Sequence, residues 1–166
     1  GISAAVHGKP ASMLITDLNA ETMANLEHNI ELNRHQYPAG SEVRVRAVTL
    51  DWGDESTWEE ASPPVDVILA ADVVYQAHET SPLMHAILSL LKPGGSFFHV
   101  APVTERDGLE GFLAHNNSSG FELVSATDAP PEFTQNPLIS GSEDEYMVHF
   151  NELPSATFRL HEFRKR

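Results

Sequence analysis

Residues 64–75 read PVDVILAADVVY, and the middle of this stretch decides the fold. From Val65 to Ala71 it is nearly all apolar, without the regular polar alternation of a strand that keeps one face in water. A short apolar run of this kind suits a strand buried on both faces, as in the centre of a parallel sheet. Asp72 and Tyr75 follow at once, where the chain leaves the strand at its carboxyl end.

Outward from this strand, periods of two and 3.6 residues alternate. Met13 to Thr16 is a short strand closed by Asp17, and Glu21 to Asn33 places Met23, Leu26 and Ile30 on one helical stripe. Tyr37 to Ser41 is a loop, and Glu42 to Leu50 is a strand with Val43, Val45 and Ala47 on one face. Leu83, Ile87, Leu88 and Leu91 mark the next helix, which Lys92-Pro93-Gly94-Gly95 stops. SFFHVAP (96–102) is a strand, Leu109 to Asn116 a shorter helix, FELVSAT (121–127) a strand and ATFRLHEFRKR (156–166) a last strand.

Strands alternating with helices predict an α/β fold: a Rossmann-like, mostly parallel sheet with helices on both faces. No good helix separates Phe121 from Phe158, so the last two strands are expected to pair antiparallel at the C-terminal end. The segment from Asp128 to Pro154 reads as a long loop with a short element at Tyr146 to Phe150. Residues 1–166 are expected to form a single domain.

Composition narrows the partners. A net charge of −14 opposes broad binding to nucleic acid and favours basic protein segments. No apolar run is long enough to span a bilayer, and the start has no signal-peptide pattern. The absence of cysteine excludes disulfides and thiolate metal sites, and it fits a reducing compartment: the cytoplasm, with the nucleus as alternative. The nine histidines show no HxH or HxxxH spacing, so no metal site is expected. A monomer is expected.

Sheets of this kind bind ligands at the carboxyl ends of their strands. Three such ends carry unusual residues: Asp17, the pair Asp51-Trp52, and Asp72 with Tyr75. A carboxylate at Asp17 can accept hydrogen bonds from both hydroxyls of a ribose, or it can cap the helix that starts near Asn19 or Ala20. Trp52 can offer its face to an adenine or cover the edge of the core. Asp51 can receive an adenine amino group or cap the turn.

TDLN (16–19), LDWG (50–53), DVILAADVVY (66–75) and LLKPGG (90–95), in this order, resemble the class I methyltransferases that use S-adenosylmethionine. Trp52 within LDWG, followed by ADVVY, resembles more narrowly the seven-strand protein-lysine methyltransferases called family 16 or methyltransferase-like 21. GISAAV (1–6) looks like the end of that family's first motif, where a glycine-rich loop turns into a helix. In the family a strand and that loop come before the position of Gly1, so the sequence is expected to lack the N-terminal portion of its domain.

The resemblance implies S-adenosylmethionine as cofactor and a protein lysine amine as acceptor. It implies cofactor contacts at Asp17, Asp51, Trp52 and Ala71, and it places Asp72 and Tyr75 in an Asp-x-x-Tyr motif that borders the cofactor and the target side chain. The implied partner is a protein with a target lysine, with Glu143, Asp144 and Glu145 either attracting a basic substrate or forming a solvated loop. Other readings are a small-molecule N-methyltransferase, a non-catalytic scaffold of the same fold, and a nicotinamide-dependent oxidoreductase, which also places an acid at Asp17.

Overall fold

The computed structural model describes residues 1–37, 44–61, 64–103, 107–130 and 157–166. They belong to two compact units, Gly1–Pro63 and Pro64–Arg166. Among the described residues no helix is long and apolar enough to cross a membrane.

The first unit runs α1 (Ile2–Gly8), β1 (Ser12–Asp17), α2 (Ala20–Leu32), β2 (Arg44–Thr49) and a 3-10 helix, Glu55–Ala61. Strands β1 and β2 pair in parallel, from Ser12 opposite Arg44 to Asp17 opposite Thr49. α2 makes the crossover. It begins where Asn19 Oδ1 accepts hydrogen bonds from the Glu21 and Thr22 amides, at 2.8 and 3.2 Å, and it turns the Met23, Leu26 and Ile30 stripe inward. The core of this unit is thin: Ala5, Ile30, Val48, Leu50, Trp58 and Ala61 are its buried apolar residues.

The second unit runs β3 (Val65–Ala71), α3 (Thr80–Leu90), β4 (Leu91–Pro102), α4 (Leu109–Ser118), β5 (Phe121–Asp128) and β6 (Phe158–Lys165). Its sheet has the order β3-β4-β6-β5. β3 and β4 are parallel, whereas β6 runs antiparallel to both β4 and β5, as expected for the C-terminal pair.

One expectation needs correction. Among the described residues β3 is paired only to β4, and Val67 and Leu69 are each 49% exposed, so β3 lies at the end of its sheet and is not covered on both faces. Its apolar run shows that the residues favour a strand; it does not show what lies against them.

Between α3 and the paired part of β4, Lys92 to Gly95 loop out, so that Val65 faces Leu91 but Val67 faces Ser96. Gly95 permits this because a Cβ there would come within 2.9 Å of the Asp66 carbonyl oxygen. Lys165 closes the other side: its ammonium donates to the carbonyls of Leu88 and Leu91, at 2.5 and 2.6 Å, satisfying the open end of α3.

The second core is aromatic. Phe97 sits 5.8 Å from Phe163 in a stacked pair and 6.2 Å from Phe112 in an edge contact. Fully burying a side chain of this size contributes about 1.5–3 kcal/mol each. Among these rings lie two histidines, His99 and His161, opposite each other on β4 and β6 with ring centroids 6.0 Å apart. Among the described residues, both His99 nitrogens are buried without a hydrogen-bond partner. Burial, and secondly the neighbouring His161, pushes the His99 pKa down to about 4.

The segment from Asp128 to Pro154 falls largely outside the described residues, as do the short element expected at Tyr146 to Phe150 and the acids at 143–145.

Candidate functional site

Two clusters of expected site residues sit at strand ends, one in each unit.

In the first unit the ends of β1 and β2 are tied together, with the Leu50 amide donating to the Asp17 carbonyl at 3.1 Å. This brings Asp17 to the same edge as Asp51 and Trp52. The Asp17 side chain turns back on its own loop: Oδ1 accepts from the amides of Leu18 and Asn19, at 2.8 and 2.9 Å. The helix cap is Asn19, not Asp17. Asp17 thus holds a tight turn at the strand end, and its Oδ2 makes no hydrogen bond among the described residues. A half-buried carboxylate, oriented by two amides and with one oxygen left over, fits a diol donor.

Asp51 Oδ1 accepts from the Gly53 amide at 2.8 Å, so the carboxylate does cap its turn. Its backbone is clamped from ahead. The Asp51 amide donates to Thr57 Oγ1 at 2.9 Å, and the Asp51 carbonyl accepts from Trp58 Nε1 at 2.6 Å. Asp54 adds a further turn by accepting from the amide and hydroxyl of Ser56, which hold its carboxyl below the usual range. Trp58 is 7% exposed and fills the core, whereas Trp52 is half-buried. The two tryptophans divide the work: Trp58 anchors the loop and leaves the Trp52 ring at the strand end.

In the second unit Ala71, Asp72 and Tyr75 leave the end of β3. Asp72 has φ +50°, a left-handed conformation uncommon for a side chain with a Cβ, and its amide donates to the Val100 carbonyl at 2.7 Å. Val74 is buried, and Tyr75 next to it is 56% exposed. Beyond Tyr75 the Ala77 amide donates to Asp107 Oδ2 at 2.9 Å. Ala71 thus ends β3, and Asp72 and Tyr75 follow on one short loop whose ends are fixed to β4 and to Asp107.

Thr57, Trp58 and Asp107 were not singled out in the sequence. The first two carried a signal: a second tryptophan seven residues after the Asp51 carbonyl it bonds, behind the turn-forming Asp54-Glu55-Ser56. Asp107 carried none, since an aspartate just before a helix ordinarily serves that helix.

The profile of a lysine methyltransferase family matches residues 1–118. The chain belongs to that family, and membership implies S-adenosylmethionine as the cofactor. Solved structures share the fold at low identity. StiE O-MT is 16% identical with a TM-score of 0.56 over 93% of this chain and 60% of its own length. A putative methyltransferase, BH2331 from Bacillus halodurans C-125, is 16% identical with a TM-score of 0.54 over 93% and 83%. The N-methyltransferase NodS from Bradyrhizobium japonicum WM9 is 14% identical with a TM-score of 0.52 over 92% and 72%. The chain therefore spans less than two thirds of StiE O-MT.

Proposed function

We propose that this chain belongs to an enzyme that transfers a methyl group from S-adenosylmethionine to a lysine side chain of a protein. The observation that carries the cofactor assignment is Asp17: Asn19 caps the helix, and the carboxylate keeps an oxygen for a ribose hydroxyl. The choice of lysine rests on the family match.

In this reading Asp17 holds the ribose through charge-assisted hydrogen bonds, each worth about 1.5–3 kcal/mol. Trp52 stacks on the adenine, a contact worth roughly 1–3 kcal/mol on the scale of base stacking in nucleic-acid sites. Asp51, at the same strand end as Trp52, borders the adenine. The bound cofactor supplies an electrophilic methyl group on a sulfonium. A lysine amine attacks only as the neutral base, and its free pKa is near 10.4. Asp72 orients that amine through a hydrogen bond, Tyr75 walls its approach and excludes water, and the released proton goes to solvent. Alignment and desolvation carry more of the rate than proton abstraction does, because a carboxylate is a weak base at neutral pH.

The test is transfer of a labelled methyl group from S-adenosylmethionine to a cell extract, followed by hydrolysis and amino-acid analysis. Label in methyl-lysine supports the reading. Label in RNA, in small amines or in other amino acids overturns the choice of acceptor, and no transfer at all overturns the enzymatic reading in favour of a scaffold.

A further inference from the structure

Asp107 stands just before Gly108, the N-cap of α4, near enough for its carboxylate to serve the first free amides of that helix. α4 has no such side-chain cap. The Asp107 carboxylate instead crosses 30 positions of sequence to accept the Ala77 amide, at 2.9 Å. Gly108 completes the junction. It has φ +80°, and a Cβ there would lie 2.7 Å from the Ala77 Cα and 3.0 Å from Thr80 Cγ2, so the two backbones touch where only glycine fits.

The other side of Ala77 is held too, because its carbonyl accepts the Thr80 hydroxyl at 2.7 Å. The start of α4 is itself rooted, since Leu109 and Phe112 are buried in the aromatic core. The loop from Asp72 to Ala77 is thus held at the Asp72 amide on Val100, at the buried Val74 side chain, and at Ala77 on Asp107. Tyr75 lies between the last two and is 56% exposed.

Resting on the methyltransferase reading above, we propose that Asp107 is a positioning residue: with Gly108 it fixes the loop that carries Tyr75, and so sets the wall past which the methyl acceptor enters. Removing the carboxylate frees the Ala77 amide and loosens the segment that carries Tyr75. The core, rooted elsewhere, stays intact.

The test uses the full chain labelled with 3-fluorotyrosine. Tyr75 is assigned by Tyr75→Phe among the three tyrosines, and Tyr37 serves as an internal reference. Asp107→Ala is expected to shift or broaden the Tyr75 fluorine resonance and to leave Tyr37 unmoved. Asp107→Asn, which loses the charge but keeps an acceptor oxygen, is expected to restore the wild-type signal. An unmoved Tyr75 signal in Asp107→Ala overturns the proposal, and so does an Asn variant that behaves like Ala, because the effect is then one of charge and not of the hydrogen bond. S-Adenosylhomocysteine is titrated into the same samples. Failure of the wild type to bind it tells against the methyltransferase reading, while the fluorine signals still decide whether Asp107 holds the loop. Wild-type binding retained within about twofold in Asp107→Ala is the expected result, since cofactor binding is assigned to other residues.

Discussion

The two candidate loops, one in each unit, are built on opposite plans. The loop after β2 carries its own braces: Asp51, Gly53, Asp54, Ser56, Thr57 and Trp58 bond one another within eight residues, and the buried Trp58 ring is its anchor in the core. The loop after β3 is held from Val100 on β4 and from Asp107 before α4. A locally braced loop keeps its shape as long as its own residues are present. A loop braced from afar follows the fate of the sheet and helix that hold it.

Acid should separate the two plans most strongly. The histidine pair lies beneath the second loop, since His99 precedes the Val100 carbonyl that holds Asp72. His99 is pushed down to about 4, and His161 is lowered as well, chiefly by burial, with Arg159 and Asp128 as its charged neighbours. In the unfolded chain a histidine titrates near 6.5. Above that value both states are neutral and stability is undiminished. As the pH falls from about 6.5 toward 4 the unfolded chain binds the proton first, costing about 1.4 kcal/mol per pH unit for His99 alone. Hydrogen exchange at pH 7 and pH 5 should show β4 and the Asp72 amide losing protection, while Asp51 to Trp58 changes little. Equal loss in both loops contradicts the distinction.

A smaller effect is expected from Gly108→Ala, which strains a left-handed position and pushes a methyl group into Ala77. The cost is about 2 kcal/mol, read as a fall of several degrees in Tm. A variant as stable as wild type shows that the junction is loose.

The smallest change sharpens the local side. Thr57→Val removes one clamp on Asp51 at nearly constant volume and should cost about 1 kcal/mol, seen as a several-fold loss of S-adenosylhomocysteine affinity with little change in Tm. Trp58→Phe, which keeps a ring in the core but loses the 2.6 Å bond to Asp51, should act in the same direction. Unchanged affinity in both variants means that Trp52 does not depend on the clamp.

The same contrast explains what was legible in the sequence. Periodicity located β1, α2, β2, β3, α3, β4, α4, β5 and β6 to within a few residues, because burial of one stripe or face sets the pattern. Asp17 was ambiguous between cap and ligand because Asp and Asn are equally good caps, and only the position of Asn19 decides which one serves. The exposure of β3 was misread because an apolar run does not say which neighbour covers it. The 3-10 helix from Glu55 to Ala61 was unreadable from apolar period, since it is held by polar turns. Asp107 was invisible because its partner lies 30 residues away.

The most direct measurement is a calorimetric titration of S-adenosylhomocysteine into the wild-type protein and into Trp52→Ala, with NAD as control ligand. Saturable binding of S-adenosylhomocysteine alone, weakened at least fivefold in Trp52→Ala with Tm nearly unchanged, is the predicted result: an adenine platform worth roughly 1–3 kcal/mol. Equal affinity in the two proteins returns the Trp52 ring to the edge of the core, and binding of neither ligand contradicts the cofactor assignment itself.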